Sequence, residues 1–117
     1  MAKRSTPGEL EQVVLWTIAS FTEEATGGDI YTALVDSTGR ELSLAAVYIT
    51  LARLEDKGWV AVRTEPPAAG QGGKPRKFFR LTDEGASILV GVREQSERLW
   101  KRAAGHPALA AGRDRDR

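Results

Sequence analysis

The hydrophobic period of this chain changes abruptly at residue 58, and that change narrows the possible folds more than any other feature. Up to Gly58 the apolar residues recur at helical spacing. In "WVAVRT" they alternate with period two, and a loop stocked with Pro and Gly, "EPPAAGQGGKP", leads to a second alternating run, "RKFFRLT". Helical spacing then resumes and continues to about residue 103. Helices, one β-hairpin and a final long helix are therefore expected, in that order.

The helices are delimited by local chemistry. In "STPGE", Thr6 is the expected N-cap, Pro7 the first helical residue and Glu9 the capping-box acid. Leu10, Val13, Val14, Ile18 and Phe21 follow at helical spacing, and Leu15 and Trp16 widen the apolar face. "EATGGDI" reads as a tight turn permitted by its two glycines. A shorter second helix carries Ile30, Leu34 and Tyr31 and ends at "STGRE". The third opens at Ser43, buries Val47, Leu51 and Leu54, and stops at Gly58. Helix, short turn, helix is the pattern of a helix-turn-helix. With the hairpin behind it, the fold class is mainly α with a small β-hairpin, a winged helix-turn-helix over residues 1–82.

Thr82 is the expected cap of the last helix, with Asp83 and Glu84 in its first turn. Gly85, Leu89, Val92, Ser96, Leu99 and Ala103 follow a three–four alternation, flanked by Ile88 and Trp100. Residues 83–104 thus read as a dimerisation helix, with an interface of Leu10, Val14, Leu89, Val92, Leu99 and Trp100. Residues 105–117 read as a disordered tail.

Charge supplies the functional clue. Between residues 57 and 80, Lys57, Arg63, Lys74, Arg76, Lys77 and Arg80 face Glu65 alone, a local charge of +5 in a chain whose net charge is +1. Such segregation fits a face that meets a polyanion. It equally fits a hairpin edge kept cationic against strand-on-strand aggregation. In the return strand, Phe79, Leu81 and Lys77 point one way, and Arg76, Phe78 and Arg80 the other. The tip of the loop, residues 65–75, is long enough to be mobile.

On the third helix, Ala45, Ile49 and, near its C-terminus away from the groove, Asp56 lie opposite the buried stripe, with Tyr48 and Arg53 on its flanks and Ser43 at its tip. Small residues near the start of a helix allow close approach to a major groove, and the Ser43 hydroxyl and helix dipole suit a phosphate. Tyr48 reads either as a phosphate contact or as a half-buried seam residue. Lys74, Arg76, Lys77 and Arg80 would supply phosphate contacts without base information. Trp16 and Trp100 are candidates to line a cleft for a flat ligand between two subunits, or simply to pack that interface.

Enzyme chemistry finds no foothold. There is no Cys, and the single His106 lies in the tail. The glycines and Lys of "GQGGKP" join two strands rather than a strand and a helix, so they do not form a phosphate-binding loop. No metal or other cofactor is expected. "MAKRSTPGEL" has no apolar h-region, and no segment approaches the ~20 apolar residues of a membrane span, which predicts a soluble, cytoplasmic protein.

With these residues in view, "AAVYITLARLEDKGWV" and "GGKPRKFFRLTDEG" together resemble the PadR family of bacterial transcriptional regulators. The matching positions are Tyr48, Leu51, Leu54, Glu55 and Gly58, then Lys77, Phe78, Phe79, Arg80, Leu81, Thr82 and Gly85, and the likeness spans residues 10–102. Ile49 stands where the family usually has Pro, Ala45 where it often has Gly, and Phe78–Phe79 where a Tyr pair is commoner. The resemblance implies a homodimer whose long C-terminal helix packs across the partner's N-terminal helix. It also implies repression through operator DNA and, in some members of the small single-helix subgroup, relief by a hydrophobic or aromatic effector. The alternative reading is a winged-helix protein-interaction module without specific DNA binding.

Overall fold

In the computed structural model, which describes residues 6–68, 70 and 72–110, the chain runs α1 (Glu9–Ala19), β1 (Ala25–Thr26), α2 (Gly27–Thr38), α3 (Leu44–Asp56), β2 (Val60–Glu65), β3 (Arg76–Leu81) and α4 (Asp83–Ala103). The strands form one antiparallel sheet in the order β1-β3-β2. The helix-turn-helix, the hairpin and the long last helix thus all appear.

Val14, Leu15 and Ile18 of α1, Ile30 and Leu34 of α2, and Val47, Leu51 and Leu54 of α3 converge on one core. Val60 and Phe79 close it from the sheet, Trp59 from the turn just before β2, and Ile88 and Leu89 from α4. Phe79 pairs with Val62 on one side and Ala25 on the other, so the middle strand places its ring under all three helices.

The junction after α3 is tightly built. Gly58 takes a left-handed φ of 81°, and the Trp59 N–H reaches back to the Leu54 carbonyl at 3.0 Å, which stops the helix and turns the chain into β2. Thr82 fastens the far end of the hairpin to the same place. Its hydroxyl donates to the Gly58 carbonyl at 2.8 Å and accepts the Gly85 N–H at 3.0 Å. A Cβ on Gly85 would lie 2.2 Å from the Trp59 carbonyl oxygen, so this glycine lets α4 start against the sheet. Gly85, Ile88 and Leu89 therefore belong to the domain's own core, and α4 leaves that core only after its second turn.

Three local expectations are corrected. The cap of α1 is Gly8 rather than Thr6, because Pro7 is buried ahead of the helix and Glu11, not Glu9, accepts the Gly8 N–H at 2.8 Å. "ATGG" is not a turn: Ala25 and Thr26 add a third strand to the sheet, too short to leave an alternation in the sequence, and Gly27 and Gly28 open α2. In the segment read as a tail, residues 107–110 are helical, started by the Ala108 N–H donating to His106 Nδ1 at 3.1 Å. The remainder, 111–117, lies outside the described residues, as do residues 69 and 71 of the hairpin loop. Among the described residues, no helix is long and apolar enough to cross a membrane.

Candidate nucleic-acid interface

Helix α3 presents its outward face without cover. The Ser43 hydroxyl caps it by accepting the Ala46 N–H at 3.0 Å. Beyond that cap Leu44, Ala45, Tyr48 and Ile49 are exposed, Ile49 at 56%. Leu44 was not among the sequence candidates. It directly follows the cap, in the first turn of the helix, where no stripe is yet readable. Arg53 stands ~12 Å further along the axis from Ala45. It is also exposed, and its charge bears on Glu11 of α1 rather than on the leading end of α3.

The positive charge of the hairpin divides into two unequal shares. Lys57 is taken up by Glu11, with Nζ 2.9 and 3.0 Å from its two carboxylate oxygens, and lies 4.8 Å from the Trp59 ring. Burial pushes the Glu11 carboxyl up, but the Lys57 bond and the Gly8 N–H together hold it below its ordinary value. Arg63 is taken up twice. Its Nε donates to both Glu24 oxygens at 2.8 and 3.0 Å, its other arm meets Glu65 at 3.1 Å, and its guanidinium lies 4.5 Å from the Phe78 ring. The Arg63 bond holds the Glu24 carboxyl below the usual carboxylate range against partial desolvation, and the charges of Arg63 and Arg80 add to the effect. Two of the six cations that marked this segment are therefore internally compensated.

Among the described residues, Lys74, Arg76, Lys77 and Arg80 make no ion pair of this kind. The register sorts them further. Arg80 pairs with Ala61, and Phe78 with Arg63, on the sheet face that points away from the core. Lys77 shares the face of Phe79, toward α3. As the alternation in the sequence predicts, Arg80 and Lys77 are delivered to different sides of the wing.

Tyr48 joins the two halves of the surface. Its ring packs edge-on against Phe79 with centroids 6.5 Å apart, and it stays 42% exposed. It lies across the start of α2, where a Cβ on Gly27 would fall 2.3 Å from its hydroxyl. Gly27 is therefore needed for its missing side chain, not for its backbone freedom. Tyr48, Thr26, Gly28 and the run Lys74–Lys77 line a cleft of about 620 Å³ between helix and wing. Thr26 caps α2, accepting the Asp29 N–H at 3.1 Å. Thr26 and Gly28 were missed in the sequence, although the T-x-x-D spacing of a capping box was there to be read.

The candidates for an interface between subunits separate into two sets. Val14 and Leu89 are buried in the chain's own core and have no surface to offer a partner. The heptad-like spacing placed them correctly on inward faces, but inward to this domain. Leu10 and Val92 are half-buried, and Leu99 and Trp100 are exposed on the part of α4 that leaves the domain. Trp16 is exposed too, and lines a shallow cleft of about 260 Å³ with Val13, Thr17, Ser20, Ser37 and Thr38. Among the described residues, Trp100 is not one of the walls of that cleft.

Comparison with known proteins gives this geometry its relatives. A regulator of the PadR family from Eggerthella lenta is 30% identical, over 82% of this chain and 83% of that one, with a TM-score of 0.64. Bacillus subtilis PadR in complex with operator DNA is 24% identical over 70% of this chain and 45% of its own length, with a TM-score of 0.58. Bordetella bronchiseptica BpsR, described for regulation of its DNA binding by 6-hydroxynicotinic acid, is 18% identical over 95% of this chain and 76% of that one, with a TM-score of 0.65. No curated protein matches the sequence significantly. The family model of the PadR-like transcriptional regulators matches residues 14–90, from the middle of α1 to the point where α4 leaves the core, and the chain belongs to that family.

Proposed function

We propose that this protein is a homodimeric, sequence-specific DNA-binding repressor, relieved by a small hydrophobic or aromatic effector. The observation that carries the reading is the cleft where Tyr48 of α3 meets Lys74, Arg76 and Lys77, one turn from the exposed leading end of α3. An exposed helix face suited to a groove and an adjoining cationic pocket suited to the phosphates that flank it are the two parts DNA recognition needs. Residues 1–82 act as the DNA-binding unit and residues 83–104 as the dimerisation helix. The Bacillus subtilis relative in its operator complex and the ligand-regulated Bordetella relative support DNA and effector binding by analogy of fold.

In the dimer two copies of α3 enter successive major grooves, and the wings lie on the backbone. With about three phosphates neutralised per subunit, the log–log salt slope is about −5. An effector between subunits changes the spacing of the two recognition helices and shifts the population away from the DNA-competent form. The test is fluorescence anisotropy with the DNA upstream of the protein's own gene against random duplex, across a salt series. Tighter binding to the upstream DNA by several kcal/mol supports a specific repressor. Equal, weak binding to both leaves two readings, an operator that lies elsewhere or a protein-interaction module.

A further inference from the structure

The leading half of α3 is unusually apolar for a surface that reads DNA. Its exposed residues there are Leu44, Ala45, Tyr48 and Ile49, while the exposed charged residues of the helix, Arg53, Glu55 and Asp56, all lie in its second half. Leu44 and Ile49 are 45% and 56% exposed, and neither belongs to the core or packs against it. Bidentate hydrogen bonds to base edges need Arg, Lys, Asn or Gln, and the leading half of α3 has none of these. It does have what recognises the one apolar feature of the major groove, the C5-methyl group of thymine.

We propose that Leu44, Ala45 and Ile49 determine operator specificity by packing on thymine methyl groups, so that each half-site carries thymine where the start of α3 enters the groove. The inference rests on the DNA-binding reading above and adds the chemistry of recognition to it. The choice of DNA as the occupant of this apolar face comes from its neighbour. Tyr48, on the same face, forms a wall of the cleft lined by Lys74, Arg76 and Lys77. A partner that fits both must offer small apolar groups beside a row of anions, and a thymine-bearing major groove edged by phosphates does so.

The experiment begins by enriching an operator from a random duplex pool with the full chain. Each thymine of the enriched half-sites is then replaced by uracil, which removes the methyl group and keeps every hydrogen-bonding atom. Affinity is expected to fall about fourfold for each contacted methyl, equivalent to ~0.8 kcal/mol per buried group of that size. It is expected to fall about fifteenfold when one such methyl is lost from both half-sites. Ile49→Ala is expected to weaken binding to the thymine operator and to erase the uracil penalty at the position it contacts. As Ile49 is exposed, that variant should fold, which its circular dichroism will confirm. An enriched operator that binds equally well with uracil throughout overturns this inference and leaves the repressor reading standing. Failure to enrich any duplex overturns both. Loss of self-association in Leu44→Ala/Ile49→Ala would assign this face to a second copy of the chain and also overturn the inference.

Discussion

Helices α3 and α4 each leave several large apolar side chains in water, and they do so in different electrical settings. On α3 the exposed residues, Leu44, Tyr48 and Ile49, adjoin a cleft edged by Lys74, Arg76 and Lys77. On the outer half of α4, Leu99 and Trp100 stand among charges of both signs, with Arg93 and Glu97 forming an i,i+4 pair at 3.2 Å. A surface with a one-signed border suits a polyanion, while a mixed border suits a surface like itself. On the proposed reading, the same kind of excess apolar surface takes different partners on the two helices, DNA on α3 and a second subunit on α4.

The most damaging change should be at α4. Val92→Glu with Leu99→Glu is expected to give monomers by sedimentation and to cost operator affinity about a hundredfold or more, because each half-site then binds alone. As Leu99 is exposed and Val92 only half-buried, the helical content should persist. A dimer that survived this variant would break the assignment of α4. Next comes the wing. Replacing Lys74, Arg76 and Lys77 by Ala should weaken binding to operator and random duplex alike and move the salt slope from about −5 toward zero. An unchanged slope would remove the cleft from the interface.

Gly27→Ala probes the joint between the two halves of the surface. The new Cβ displaces the Tyr48 ring, and affinity should fall by about tenfold, the size of one charge-assisted hydrogen bond, while Tm stays close to its original value. Adding Tyr48→Ala should then cost little more, since the ring is already displaced. A full second loss on top of the first would show that the two residues act separately.

Smaller effects should follow at the compensated face of the wing. Arg63→Ala removes the bridge to Glu24 and Glu65 and should speed hydrogen exchange of the β2–β3 amides, with only a few-fold change in DNA affinity. Acid should act on the same bridge. Glu24 has a lowered folded pKa, so its contribution is present above the ordinary carboxylate value of 4.5 and is lost as pH falls below that through the folded value. Loosening that began nearer neutrality would point to a different group. Least of all should DNA binding respond to Trp100→Ala. That variant is expected to weaken the binding of planar hydrophobic compounds, read by quenching of the remaining indoles.

Much of the fold was legible because its signals are local. Ser43 and Thr82 are caps that announce their helices, Gly58 is a stop, and the shift from helical to alternating spacing marks the hairpin. What was not legible depends on contacts between distant residues. The +5 of residues 57–80 could not reveal that Lys57 answers Glu11 and Arg63 answers Glu24, partners 46 and 39 residues away. Spacing placed Val14 and Leu89 on inward faces but could not say whose interior they fill. The two glycines after Thr26 looked like a turn, because the reason for Gly27 is a tyrosine on another helix.

The central claim is that two copies of α3, held by α4, read two half-sites on one face of DNA. Hydroxyl-radical footprinting of the full chain on its enriched operator tests this most directly. Two protected patches about 10 base pairs apart, flanked by weaker protection from the wings, are the expected result. A single protected patch, or a uniform one that follows the protein onto any sequence, would contradict it.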